Sequence, residues 1–319
     1  MDSTLNATRL IEKPRCEAPV GLKWACLEKG APVSRGLPHT GIMLVTCLVV
    51  FGLIKQFALE ETLMRKREIY KKTWKRLSHR DQRTLVNHHL SLGIKSFILV
   101  VALVPFMLIV AGHQFSYSPI PNSRISVGDM MFVVSNIYTA MYAFELCYRT
   151  GISPIAWLHH TGTAVMAQYA LLLSRDKRHS DGSIELILCL IWGLFDIVSE
   201  AIPHLTFILY RLFPTAHSSL YRWFTIATLV MVSSTLLETA IILWIYVALF
   251  KRWRTDLKIV TPVMHLLFTS AQLWGARALR GLAQREKKLI QQEQNGASNL
   301  ICDNHPQTLE GDGRAGKVL

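Results

Sequence analysis

Seven long apolar segments alternate with short polar segments along most of the chain. They cover about residues 41–59, 94–111, 130–148, 154–174, 184–210, 223–250 and 259–279. A transmembrane helix needs roughly 20 predominantly apolar residues. The pattern therefore predicts an all-α polytopic membrane protein with about seven transmembrane helices. The fifth and sixth segments are longer than a bilayer requires, which predicts tilt, or a kink at Pro203 in the fifth.

The composition agrees with this pattern. Half of the 319 residues are apolar and only 18% are charged, which is typical of a membrane protein. The spans and short loops take up nearly all of the length, so we expect one domain with two tails. We place an irregular N-terminal arm at residues 1–36 and the first transmembrane helix at 37–59. The cytosolic tail, residues 283–319, is expected to be largely disordered after a helical extension to about Gln294.

A basic segment, residues 60–92, follows the first apolar span. It holds nine of the 35 lysines and arginines. An apolar stripe at helical spacing is formed by Leu63, Tyr70, Trp74 and Leu77. A basic amphipathic segment beside a span predicts that residues 60–83 bind an anionic lipid surface on the cytosolic side. A solvated basic linker is the alternative. The net charge of +13 is accordingly assigned to a membrane partner and not to nucleic acid.

The distribution of basic residues predicts the orientation in the membrane. Cytosolic loops are enriched in Lys and Arg, and the basic segment places the N-terminus in the lumen and the C-terminus in the cytosol. The basic run at residues 251–254 favours the opposite orientation. A lumenal N-terminus is consistent with the sequon Asn6-Ala7-Thr8, a candidate glycosylation site. In an oxidising lumen, Cys16 and Cys26 are the cysteines that could pair.

Ionisable residues at bilayer depth are costly and mark functional sites. The pair His159-His160 lies in the fourth span, and Asp196 and Glu200 lie in the fifth. Residues four apart share one face of a helix. The short connection between these spans makes them antiparallel neighbours, so imidazoles and carboxylates should meet in one polar pocket. Further candidate lining residues are Glu145, Thr163, Trp192, His204, Glu238 and Gln272.

Such a pocket has two interpretations. Histidines and carboxylates on neighbouring spans can simply satisfy one another and fix helix packing. A buried imidazole beside a carboxylate can also act as a general base or nucleophile, which suits acyl transfer to an amine or hydroxyl. The same groups could bind a polar lipid head without reaction. No metal is predicted, because the clustered histidine spacings of membrane desaturases do not occur.

At these residues the sequence resembles the TLC-domain family, which contains the ceramide synthases and other lipid-handling membrane proteins, most closely its fungal members. LHHTGT at residues 158–163 is similar to the family's His-His-x-x-Thr, and DIVSE at residues 196–200 to its Asp-x-x-x-Glu. YAFELCYR at residues 142–149 and the final helix around Trp274 add weaker agreement. The resemblance covers residues 85–282. It implies a six-helix barrel, made of the second to seventh spans, around a cavity entered by a lipid or acyl chain.

The resemblance also implies a function. In ceramide synthases the matching histidines are catalytic in acyl transfer from acyl-coenzyme A, in the endoplasmic reticulum. The catalytic candidates are therefore His159, His160, Asp196 and Glu200, with acyl-coenzyme A as co-substrate and no bound cofactor. The His-Asp pair that precedes Asp-x-x-x-Glu in ceramide synthases reads Trp192-Gly193 here. The sequence thus predicts a membrane protein of lipid metabolism, either an acyltransferase or a non-catalytic lipid-binding protein that regulates membrane lipid composition. It does not predict the oligomeric state.

Overall fold

The computed structural model describes residues 34–110, 118–175, 182–253 and 255–303. Eight α-helices occur in these ranges: α1 Thr40–Leu53, α2 Glu68–Arg76, α3 His79–Val110, α4 Val127–Tyr148, α5 Pro154–Arg175, α6 Gly182–Leu212, α7 His217–Ala248 and α8 Leu257–Asp303. Within the described residues there is no β-strand beyond one isolated bridge between Pro119 and Ser126. Asn6, Cys16 and Cys26 lie outside the described residues.

Five helices of the described chain are long and apolar enough to cross a membrane. They are Leu37–Met64, His79–Leu108, Val127–Tyr148, Ile184–Leu212 and His217–Ala248. The prediction of an all-α membrane protein is thereby confirmed. The other two predicted spans form α5 and α8, which are helical but less apolar than these five.

Several helix ends differ from the predicted ones. The first span continues from α1 through a π-helical stretch to Met64, because no helix-breaking residue follows Leu59. The third helix begins at His79 and not near residue 94, so the second half of the basic segment forms its first turns. The last helix runs beyond Gln294 to Asp303, and residues 304–319 lie outside the described part of the chain.

The apolar stripe of the basic segment packs against the protein itself. Leu63, Tyr70, Trp74 and Leu77 belong to one apolar cluster with buried residues of α3 and α6, including Leu85 and Ile208. The Tyr70 hydroxyl bonds His89 Nε2 at 3.0 Å, and partial burial raises the pKa of Tyr70. The stripe therefore holds the short helix α2 on the bundle. The α2 lysines at positions 71, 72 and 75 are exposed on the opposite side.

Helices α3 to α8 form two adjoining four-helix groups. The first contains α3, α4, α5 and α6, and the second contains α5, α6, α7 and α8, so α5 and α6 belong to both. Around the outside, the six helices follow each other in the closed order α3, α4, α5, α8, α7, α6. The first helix packs on α4. The shared pair α5–α6 carries the predicted site residues, and this places the site inside the first group.

The start of α4 is fixed by local hydrogen bonds. Ser126 is the N-cap, and its side chain accepts from the Asp129 backbone N–H at 3.0 Å, while Asp129 accepts from the Ser126 N–H at 3.0 Å. This reciprocal capping box satisfies two otherwise unpaired donors. Ser34, just before α1, donates to the same Asp129 carboxylate at 2.7 Å. These bonds set the position of α4, whose inner face contributes two tyrosines to the site.

Candidate functional site

Asp196 lies at the centre of a buried polar cluster between α4, α5 and α6. Its Oδ2 accepts hydrogen bonds from the hydroxyls of Tyr138, at 2.6 Å, and Tyr142. Its Oδ1 lies 3.3 Å from Nε2 of His159. The two tyrosines are four residues apart on α4 and therefore face the same side. Three donors from two helices hold this carboxylate, which itself is only 3% exposed.

Glu200 lies one turn from Asp196 on the same face of α6, as the spacing predicts. Its Oε2 is bonded to the Lys95 ammonium of α3. Its Oε1 is 4.0 Å from Nε2 of His159, and its Oε2 is 3.8 Å from Nε2 of His204. The His159 imidazole is therefore closer to Asp196 than to Glu200. The Lys95 ammonium also lies 5.4 Å from the centroid of the Tyr142 ring, within cation–π range.

The two histidines of α5 play different parts in this arrangement. His159 faces both carboxylates of α6, and the Phe268 ring of α8 meets its imidazole edge-on at 5.3 Å. His160 lies against the Tyr142 ring, with ring centroids 4.4 Å apart. Both imidazoles are buried, and within the described residues neither Nδ1 atom has a hydrogen-bond partner.

The unpartnered nitrogen of His159 defines its chemistry. An ionised carboxylate only accepts hydrogen bonds, so His159 donates its Nε2–H to Asp196. In the neutral ring, Nδ1 then carries the lone pair. A buried polar atom without a partner costs about 1–3 kcal/mol. The Nδ1 atom is accordingly a proton acceptor held ready by a carboxylate, which is the arrangement of a general base.

A histidine pair extends the cluster towards the N-terminal end of α3. Nδ1 of His88 lies 2.8 Å from Nδ1 of His204, and the His88 ring stacks on Phe207 at 5.2 Å. The His88 side chain is buried between α3 and α6. In this contact one Nδ1 donates a hydrogen bond and the other accepts it.

The remaining predicted lining residues bond to groups other than the carboxylates of Asp196 and Glu200. Glu145 pairs with Arg149 at 2.7 Å, and Thr163 donates to the His159 carbonyl at 2.9 Å. The Trp192 indole donates to His265 of α8 at 3.2 Å. Glu238 of α7 accepts from Gln272 of α8 at 2.9 Å. The last two bonds lie in the second four-helix group.

An apolar cavity of about 90 Å³ lies between α3, α4 and α6 beside the polar cluster. Its wall is formed by Ile98, Ala102, Pro105, Phe106, Met131, Val134, Ser135, Tyr138, Ala167, Ile187, Cys189, Leu190, Ile191, Gly193, Leu194 and Ile197. None of the six predicted lining residues Glu145, Thr163, Trp192, His204, Glu238 and Gln272 borders it, because each is turned towards another partner. Tyr138 borders both this cavity and Asp196. Apolar cavities favour hydrocarbon over water.

The charges of the cluster nearly cancel. The buried carboxylates are Glu145, Asp196 and Glu200, and the cations bonded to them are Lys95 and Arg149. With neutral imidazoles, one more proton would neutralise the group. His159, His160 and Glu200 also bring one potential metal-ligand atom each within 4.8 Å of one another. The cluster therefore carries about one net negative charge that a proton would cancel, and its potential metal donors include the carboxylate already bonded to Lys95.

The sequence located the two histidines and the two carboxylates but missed three of their partners. Lys95 was assigned to a span, and Tyr138 and Tyr142 are of a type common in membrane helices. The tyrosines are signalled only by their spacing of four residues, which places them on one face of a helix. Lys95 is signalled by being an ionisable residue within an apolar segment. Comparison with protein-family models, with curated proteins and with solved structures found no match to this chain.

Proposed function

We propose that this protein handles a membrane lipid at the His159–Asp196 pair and transfers an acyl group to an amine or hydroxyl acceptor. The observation that carries the proposal is a single one: an imidazole whose Nε2 is bonded to a fixed carboxylate, beside an apolar cavity bordered by Tyr138. An acid-base pair and a space for hydrocarbon are the two components that a lipid-modifying site needs.

The proposed step is a simple substitution. Nδ1 of His159 takes the proton of the acceptor N–H or O–H while the acceptor atom attacks the acyl carbonyl carbon. The bond between the acyl carbon and the leaving sulfur of acyl-coenzyme A breaks, and the imidazolium returns its proton to that sulfur. Asp196 stabilises the imidazolium in between. Acyl-coenzyme A is the proposed co-substrate because its thioester supplies the acyl group.

The proposal includes the family and the setting. Membership of the TLC-domain family is supported by the motifs around His159 and Asp196, and with it a barrel of α3 to α8 and residence in the endoplasmic reticulum. Seven spans are supported by exposed apolar residues every seven positions on the two less apolar helices: Leu158, Val165 and Leu172 on α5, and Ile259, Leu266 and Leu273 on α8. The outward lysines of α2 support an anionic lipid surface as partner, with the N-terminus lumenal and the C-terminus cytosolic.

A second candidate function is lipid binding without chemistry. It is favoured by Trp192 and Gly193, which stand where ceramide synthases have a second acid-base pair. Trp192 is bonded to His265, and Gly193 lies on the cavity wall against Tyr138. Neither can donate or accept a proton in a reaction, so acid–base chemistry would rest on the His159–Asp196 pair alone.

Lipid mass spectrometry distinguishes the two candidates. A deletion strain is complemented with wild-type protein or with the double variant His159→Ala, His160→Ala at equal expression. If the protein is an acyltransferase, only the wild type restores the lipid composition, because the base is missing from the variant. Restoration by the double variant would contradict acyl transfer and support lipid binding.

Filling the cavity is expected to weaken lipid binding under both candidates. Ala167→Leu adds three carbon atoms to the cavity wall, and overpacking of about 1.4 kcal/mol corresponds to a tenfold loss of affinity. We expect roughly tenfold less lipid to copurify with this variant. Val165→Leu is the matched control, because Val165 is 60% exposed on the same helix. Equal lipid content in the two variants would exclude this cavity as the binding site.

A further inference from the structure

The Lys95 side chain of α3 is fully buried, with 0% of it exposed. Its ammonium is bonded to Glu200 and lies over the Tyr142 ring. A buried ammonium is tolerated only when it is paired. The proposed acyl transfer gives this lysine no part, so a different role must account for a charge placed at the centre of the bundle.

Three residues of the cluster offer side-chain donors that could hold a metal ion. Two imidazoles and one glutamate form the donor set His₂Glu, which binds catalytic zinc in several enzymes. The donors of His159, His160 and Glu200 lie within 4.8 Å of one another. Donors about 2.0–2.1 Å from a tetrahedral zinc lie about 3.4 Å apart. Side-chain rotations that shorten the donor–donor distances by about 1.4 Å would therefore bring all three donors within bonding distance of one ion.

Lys95 stands in the way of such an ion. Its ammonium is bonded to the carboxylate that would serve as the anionic ligand. A divalent ion beside a fixed ammonium is repelled strongly at the low dielectric of a membrane bundle. Lysine and metal therefore compete for the same oxygen.

We infer that Lys95 is the resident cation of the cluster formed by His159, His160 and Glu200, and that it occupies a latent divalent-metal site. It acts as a positioning residue. By binding Glu200 it leaves Asp196 as the nearer partner of His159, at 3.3 Å against 4.0 Å. The inference concerns the site of the proposed function but holds whether or not that site transfers acyl groups.

Zinc content measures this role without any turnover. Wild-type protein, Lys95→Met and Lys95→Arg are purified in lipid nanodiscs, dialysed against micromolar Zn²⁺ and analysed by mass spectrometry for metal. We expect Lys95→Met to bind about one zinc per chain, because Glu200 is then free to join the imidazoles. Wild type and Lys95→Arg keep a cation on Glu200 and are expected to hold less than about a tenth of that amount. Zinc should also raise the unfolding temperature of Lys95→Met alone.

The control is the double variant Lys95→Met, His160→Ala, which removes one ligand and should lose the zinc. Stoichiometric zinc in wild-type protein, lost in His160→Ala, would overturn the inference. So would a folded Lys95→Met that binds none. If Lys95→Met does not fold, wild-type protein and His160→Ala are dialysed against millimolar Zn²⁺ instead. Zinc bound by the wild type and lost in His160→Ala refutes the inference, and a wild type without bound zinc supports it. Acyl transfer can fail in every sample without changing these outcomes.

Discussion

Asp196→Asn is expected to lower kcat of acyl transfer by about 10²–10⁴-fold, with little change in the KM of the acyl donor. The carboxylate fixes the His159 tautomer and stabilises the imidazolium, and loss of a comparable carboxylate in serine proteases costs about 10⁴. Asparagine has nearly the same shape as aspartate. It can keep a hydrogen bond to the tyrosine hydroxyls but cannot carry the balancing charge. Initial rates with labelled acyl-coenzyme A in nanodiscs measure the effect.

The matched control for this variant is Glu286→Gln. Glu286 of α8 forms a partly buried histidine–carboxylate pair with His217, the first residue of α7, at 2.7 Å, outside the candidate site. General loss of stability would affect both variants, whereas loss of the base affects Asp196→Asn alone. Equal rates for Asp196→Asn and Glu286→Gln would remove Asp196 from the mechanism.

The residues of the site differ in how strongly the sequence signals them. Ionisable groups at bilayer depth are rare, so His159, Asp196 and Glu200 were recognisable, and their helical spacing correctly placed both carboxylates towards the histidine. Lys95 gave a weaker signal, since a lysine in a span can also extend its ammonium to the interface. The partner of the Lys95 ammonium is Glu200 of α6, more than a hundred residues away in sequence, so no local pattern predicts this pair.

The cavity and the helix contacts were less predictable. Apolar periodicity predicts that a face is covered but does not identify the covering helix. The stripe containing Trp74 was assigned to the membrane surface, whereas the structure packs it on α3 and α6. The polar lining candidates have hydrogen-bond partners away from the apolar cavity, because unpaired polar groups are costly in an apolar interior. The cavity wall was left to Ile98, Ala167 and their apolar neighbours.

The Lys95–Glu200 pair carries the largest expected effect on stability. Removing one partner of a buried ion pair costs about 3–5 kcal/mol, because the other charge stays buried without compensation. Glu200→Met leaves the Lys95 ammonium, whose side chain is 0% exposed, without a partner and should therefore lower the free energy of unfolding by about this amount. Replacing both partners, as Lys95→Met with Glu200→Met, leaves no unpaired charge and should recover most of the loss. Unfolding in bicelles, followed by steric trapping, measures all three proteins.

A second ion pair provides the comparison. Lys55 and Glu60 are 3.1 Å apart, and their side chains are 22% and 18% exposed. Glu60→Met leaves the Lys55 ammonium partly in contact with solvent, so it should destabilise the protein much less than Glu200→Met, which leaves a fully buried ammonium. A Glu200→Met variant as stable as Glu60→Met would show that the buried ammonium is not held by Glu200.

The tautomer of His159 tests the central claim most directly. Nitrogen-15 NMR of histidine-labelled protein in nanodiscs at neutral pH, assigned with His159→Gln, distinguishes a protonated from an unprotonated ring nitrogen. We predict a protonated Nε2 and an unprotonated Nδ1 in the wild type, and loss of this preference in Asp196→Asn. A His159 that carries its proton on Nδ1, or a spectrum that Asp196→Asn leaves unchanged, would contradict a base held by Asp196.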